Sequence, residues 1–226
     1  MTPSIAPLFG PITDRPARLG VLISGGGSTL KNLERHIADG KLPAEVAAVV
    51  ASNPKAADAA RERGVAAAIR VIERARFPRA AKGVSPFSDA VFGYMRDANV
   101  DLVCMAGFLS LLEIAPDFAN RTLNIHPSLL PAFGGAGMYG QRVHAAVLKH
   151  GCKVTGCTVH LADDTYDTGP ILVQRPCPVL PDDTPDILAA RCFEQECIAY
   201  PEAINAIVAG RVHIEGHVTR IAPNPS

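Results

Sequence analysis

One stretch constrains the chain more than any other. Leu19-Gly20-Val21-Leu22-Ile23-Ser24 is a continuous apolar run, stopped by Gly25-Gly26-Gly27 and followed by a helical pattern from Ser28. Unbroken apolarity over a strand's length predicts burial on both faces, as in a parallel sheet covered by helices. The same alternation repeats. Strands are expected over 46–52, near 67–71, over 101–106 and over 121–126. Helices are expected from Ser28, over 56–63 with Gly64 ending it, and from Ser85 or Pro86 to about Ala98. Alternating β and α implies a parallel sheet with helices on both faces.

The second half changes character. A helix follows Gly140, and 153–161 and 171–179 read as two alternating strands, a candidate antiparallel pair. Asp182 or Thr184 caps a long helix to about Ala209, with Ile187, Leu188, Phe193, Ile198 and Ile207 as its apolar positions. His213 to Ile221 reads as a last edge strand. The expected fold class is therefore α/β: a Rossmann-like, mostly parallel sheet with helices on both faces, and a C-terminal part with antiparallel strands and a long helix. Residues 18–226 are expected to form one domain. Residues 1–17, with four prolines and no apolar core to a leader, are expected to be a loose arm.

Composition narrows the function classes. The 226 residues are 48% hydrophobic and 19% charged, enough to bury a sizeable core. Lys plus Arg and Asp plus Glu are 22 each, so the net charge is zero, which argues against a nucleic-acid binder held by electrostatics. No apolar stretch reaches the roughly 18 residues of a membrane helix. The six cysteines form no Cys-x-x-Cys pair and read as small buried hydrophobes in a reducing compartment, so a cytoplasmic location is expected.

Ser24-Gly25-Gly26-Gly27-Ser28 joins a strand to a helix. Backbone N–H groups at a helix N-terminus favour anions, so phosphate is the natural ligand, with a plain tight turn as the competing reading. The dinucleotide fingerprint is incomplete, because Leu30 stands where a third glycine belongs and the second strand ends in Asn53. There is also no Gly-Lys-Ser/Thr. A monophosphate fits better than NAD or ATP.

Asn124-Ile125-His126-Pro127 is the most informative segment. Residues two apart on a strand point the same way. They sit at a strand's carboxyl end, where ligands bind in open α/β sheets. An amide donor and an imidazole aimed at one point suit a developing oxyanion, and the imidazole also carries a proton near neutral pH. Asp167 lies in the loop Thr165-Tyr166-Asp167-Thr168-Gly169-Pro170; taken alone it reads as an Asx-turn residue. His213-x-x-x-His217 has the spacing of a helical metal pair, but Gly216 lies inside it and the stretch looks strand-like, so it reads as structural. His160 reads as core or edge, and His144 as a candidate substrate contact.

Asn124-Ile-His126-Pro-Ser-Leu-Leu-Pro131 resembles the signature of folate-dependent formyltransferases. The resemblance to the phosphoribosylglycinamide-specific branch of that family extends to Val21–Ser28, Met105-Ala-Gly-Phe108, Gly156-x-Thr-Val-His160, Asp167-x-Gly-Pro170, Glu194-Gln-Glu196 and Tyr200-Pro201, in order. It implies transfer of a formyl group from 10-formyltetrahydrofolate to the amine of 5-phosphoribosylglycinamide, with no metal. The alternatives are hydrolysis of the formylfolate or a non-catalytic phosphosugar-binding module. Related enzymes with an added RNA-binding or regulatory domain are not expected to fit 226 residues. By position, the resemblance makes Asn124, His126 and Asp167 the catalytic trio. It assigns Gly27, Ser28, Thr29 and Glu196 to the ribonucleotide. It assigns Leu109, Ser110, Leu111, Leu112, Asn124, Asp163, Asp164, Thr165, Tyr166 and Asp167 to the folate. Arg79, from the cluster Arg70, Arg74, Arg76, Arg79 and Lys82, is assigned to the folate glutamate. Phe133 to Gly140 is expected to be a lid with glycine hinges. Asp167 is expected to raise the pKa of His126. The expected partners are small molecules, with neither nucleic acid nor membrane, in a monomer or homodimer.

Overall fold

The computed structural model describes residues 8–78 and 85–223. Seven strands form the main sheet: β1 (Ala17–Ile23), β2 (Ala44–Ala51), β3 (Ile69–Val71), β4 (Leu102–Met105), β5 (Thr122–His126), β6 (Val154–Leu161) and β7 (Ile171–Pro178). Their order is β3-β2-β1-β4-β5-β6-β7. The pairs among β1 to β5 are parallel, and β6 and β7 are added antiparallel. The carboxyl ends of β1 to β5 therefore share one edge. The chain order reverses between β1 and β4, which opens a crevice there.

Helices cover both faces. α1 (Ser28–Ala38), α2 (Pro54–Glu62) and the 24-residue α5 (Pro185–Val208) bury Leu30, Leu33, Ala57, Ala60, Ala203 and Ile204 on one face. α3 (Pro86–Asp97) buries Phe87, Val91, Phe92 and Met95 on the other. Each of these side chains larger than alanine contributes roughly 1.5–3 kcal/mol by leaving water. At Gly20 a Cβ would collide with Met95 Sδ, so α3 packs directly on the β1 backbone there. α4 (Gln141–Lys149) packs against α5.

The helix starts follow local chemistry. Asn53, Ser85 and Thr184 each cap a helix by accepting from the backbone three residues on, and each is followed by proline at the first helical position. α1 differs from expectation: Ser28 is its first residue, and the N-cap is Gly27, in the left-handed region with no side-chain cap. The Ser28 hydroxyl is thereby not used for capping.

Pro201 sits inside α5 without breaking it. A proline supplies no N–H to the carbonyl four residues back, here that of Cys197. Asn32 Nδ2 of α1 donates to that carbonyl at 3.0 Å and replaces the missing bond. The adjacent Tyr200 is fully buried, and its hydroxyl lies 3.0 Å from the Met105 carbonyl and 3.2 Å from that of Leu123. α5 is thus tied to β4 and β5 directly beneath the Asn124 strand end.

Two expectations are corrected. The tail is a separate hairpin of β8 (Val212–Glu215) and β9 (Val218–Ile221), not one edge strand, because Gly216 at φ +60 supplies a two-residue turn. The later part of the N-terminal arm is not loose. Leu8 N donates to Val212 O and Ile12 N to Val208 O, while Leu8, Phe9 and Ile12 pack on the core. All six cysteines are unpaired, and Cys104, Cys157, Cys177 and Cys192 are buried.

Candidate active site

A cavity of about 510 Å³ opens at the shared strand edge, between the loop after β4, the end of β5, the β6–β7 loop and the inner faces of α4 and α5. β5 delivers Asn124 and His126 to it on the same side, and Pro127 stops the strand there. His126 is buried, and its Nε2 donates to the Phe133 carbonyl at 2.9 Å. Its Nδ1 lies 3.5 Å from Asp167 Oδ2.

Asp167 reaches the same point from the β6–β7 loop. That loop closes tightly because Gly169 is bare: a Cβ there would sit 1.8 Å from the Leu161 carbonyl. Asp163 holds the loop internally, accepting from Thr165 N at 3.0 Å and from the Thr168 hydroxyl at 2.9 Å. Asp167 then adopts φ +59, a left-handed conformation that Asp tolerates better than most residues. Its Oδ2 accepts from Gly135 N at 2.9 Å and its Oδ1 from Asn124 Nδ2 at 3.3 Å. The amide, imidazole and carboxylate converge on one cavity from segments up to 43 residues apart.

Electrostatics correct one expectation. Burial depresses the pKa of His126, and this outweighs the opposing pull of Asp167 and of the bond to Phe133 O. The unliganded imidazole is therefore held below its ordinary value, not above it. Burial pushes the Asp167 carboxyl up, but the charge that His126 takes up when protonated and the Gly135 N–H hold it below its usual range. Burial also lowers His144, with help from His126, and pushes Glu196 up to about 7.

Of the predicted folate residues, Leu109, Leu111, Leu112, Asn124, Asp163, Thr165, Tyr166 and Asp167 line the cavity. Ser110 and Asp164 do not; the Asp164 carboxylate instead accepts from Ile114 N at 2.8 Å and joins two walls. Leu109 N donates to the Ser24 hydroxyl at 3.0 Å, which couples this segment to the glycine loop. Arg79 and Lys82 lie outside the described residues. Arg70 and Arg74 stack on the rings of Tyr94 and Phe87, and Arg76 pairs with Glu73. Of the predicted ribonucleotide residues, Thr29 and Glu196 face the cavity. Ser28 lines an adjoining groove, and Phe193 borders both spaces. Gly27 lines neither, and it is held at φ +71 with a would-be Cβ 3.1 Å from Ala60. Gly135 to Gly140 form the roof.

The formyl transferase family profile matches residues 17–204. The chain belongs to the formyl transferase family. Among curated relatives of this formyl transferase, the chloroplastic phosphoribosylglycinamide formyltransferase of Vigna unguiculata is 38% identical over 208 residues, covering 89% of this chain and 64% of that protein. The chain thus spans just under two thirds of that relative. The phosphoribosylglycinamide formyltransferase of Haemophilus influenzae is 30% identical, covering 89% of this chain and 92% of its own. The crystal structure of glycinamide ribonucleotide transformylase 1 from Symbiobacterium toebii superposes with a TM-score of 0.81 at 36% identity, covering 93% and 96% of the two chains.

The formyl transferase site also holds residues that sequence reasoning passed over. His160 lines the cavity and touches Asn124, a contact set only by strand register. Glu113 accepts from the Ser85 and Ser88 hydroxyls, both at 2.6 Å, and anchors the Leu109–Ile114 wall to the start of α3. His160 is signalled only as the end of the Gly156-x-Thr-Val-His160 motif, and Glu113 only by its folded contacts. Among the described residues, no group of three or more His, Cys, Asp or Glu is placed to hold a metal ion, and no helix is long and apolar enough to cross a membrane.

Proposed function

We propose that this enzyme transfers the formyl group of 10-formyltetrahydrofolate to the amine of 5-phosphoribosylglycinamide, a step of de novo purine synthesis. The observation that carries the reading is the meeting of Asn124, His126 and Asp167 in one cavity. The apolar rim of Leu109, Leu111 and Leu112 suits a flat folate ring system. Gly27, Ser28 and Thr29 at the start of α1 take the phosphate, and Glu196 meets the glycinamide end. The co-substrate is the formylfolate, and the reaction uses neither a resident metal nor a covalent enzyme intermediate. The working partners are small molecules, in a monomer or homodimer in the cytoplasm.

In the reaction the amine nitrogen attacks the formyl carbon, and the carbonyl pair moves onto oxygen. Asn124 Nδ2 donates to that oxyanion. The attacking nitrogen must lose a proton, and a neutral His126 is ready to receive it. The imidazolium so formed, its new Nδ1–H facing ionised Asp167, stabilises the oxyanion by its charge. The carbon–N10 bond then breaks, and the proton passes to N10 of the departing tetrahydrofolate. Mixing the enzyme with both substrates tests this. The folate absorbance is expected to change only when the amine acceptor is present. Acceptor-independent change would make it a hydrolase, and no change would make it a binder.

A further inference from the structure

The catalytic amide itself needs an orientation, since an Asn side chain turned over presents an acceptor where the oxyanion needs a donor. His160 supplies the orientation. It stands opposite Asn124 in the β5–β6 ladder and is buried. Its Nδ1 lies 2.9 Å from the Leu161 carbonyl, which can only accept, so Nδ1 carries the hydrogen. In the neutral ring Nε2 is then a bare acceptor, and it lies 3.0 Å from Asn124 Nδ2. The second Nδ2 hydrogen points toward Asp167 Oδ1, 3.3 Å away. His160 Nε2 is itself 3.7 Å from that oxygen, beyond a hydrogen bond, so the amide separates two acceptors. The flipped amide would set its oxygen against both a lone pair and a carboxylate.

We infer that His160 is a positioning residue for formyl transfer: its Nε2 lone pair, fixed by the Leu161 carbonyl, keeps Asn124 Nδ2 toward the reacting oxygen. This rests on the formyl-transfer reading above. When the oxyanion forms, the longer bond to Asp167 is the one exchanged, and the bond to His160 stays.

Two substitutions and a spectrum test it. H160L removes the acceptor at similar volume; H160Q restores an acceptor oxygen near the Nε2 position. H160L is expected to lower kcat by about tenfold or more while both KM values stay within about twofold, and H160Q to recover most of that loss. In an N124A background, H160L is expected to change kcat by less than about twofold, because no amide remains to be held. An H160L variant with parental kcat, an H160Q variant no better than H160L, or additive losses would overturn the inference. Nitrogen NMR of the unaltered protein, with His160 assigned by its absence in H160Q, reads the tautomer without any turnover. Nδ1 protonated and Nε2 bare is expected; a proton on Nε2 at neutral pH sinks the proposal even if the enzyme transfers formyl groups as proposed.

Discussion

The two sides of the cavity are built on different plans. On the sheet side, the polar atoms of Asn124, His126, Asp167 and His160 engage one another or backbone groups from Phe133, Gly135 and Leu161. On the helix side, Glu196 has no hydrogen-bond or ion-pair partner among the described residues, and His144 Nδ1 is buried without one. A network already assembled before substrate arrives needs little reorganisation during the reaction, here the exchange of the longer Asn124–Asp167 bond for one to the oxyanion. An unpartnered charged group costs stability until a ligand supplies its partner. On the proposed formyl transfer, the sheet side serves turnover and the helix side captures the ribonucleotide.

Cutting the sheet-side network gives the largest expected effect. N124A removes the donor to the oxyanion and H126A the proton acceptor whose charge then stabilises it, and the loss of one such group typically costs about a hundred- to a thousandfold in rate. Steady-state kinetics on folded variants should show this in kcat with KM little moved. Near-parental turnover would break the division of labour between the walls.

D167N is expected to be milder, about ten- to a hundredfold in kcat. The new amide still offers an acceptor to Gly135 N, but the charge that stabilises protonated His126 is gone. Stability adds a check on sign. The Asp167 carboxyl is held below its ordinary 3.8, so its contribution is present above that value and is lost as pH falls through the folded-state pKa. Urea titrations should show D167N less stable than the parent at pH 7 and closer to it near pH 3. A constant gap would mean that the carboxylate is not specially held.

How much of this is legible in the sequence follows from how local each feature is. The Asn124-x-His126-Pro127 geometry depends on a period of two and a strand stop, so it can be read directly. Asp167 is 41 positions beyond His126, and only the family resemblance joins them. His160 closes a motif of the family resemblance, but its contact with Asn124 is unreadable until the β5–β6 register is known. The lowered pKa of His126 is unreadable in the motif, which shows a carboxylate neighbour but not burial. The tail hairpin does carry a local signal, the turn glycine at 216. Asn32 completing the hydrogen bond that Pro201 leaves open belongs with the unreadable features, since the two residues are far apart in the chain.

The helix side gives the smallest effect on turnover and the clearest reading of pH. E196Q keeps the shape of the side chain but cannot ionise. It is expected to raise KM for the ribonucleotide by about tenfold, the scale of a lost charge-assisted hydrogen bond, while kcat stays within about twofold. The raised carboxyl, near 7 against an ordinary 4.5, means that the folded protein holds this proton more tightly than the unfolded chain. Stability is therefore lost as pH rises from about 4.5 to about 7, and the loss is complete above that. Gln avoids the loss, so E196Q should melt with the parent near pH 4.5 and above it at pH 8, by about 2–4 °C for each kcal/mol that ionisation costs. Saturating ribonucleotide should erase that advantage, because it gives the parent carboxylate its missing partner. If E196Q shows no gain at pH 8, the helix side is as fully partnered as the sheet side, and the distinction between the two walls fails.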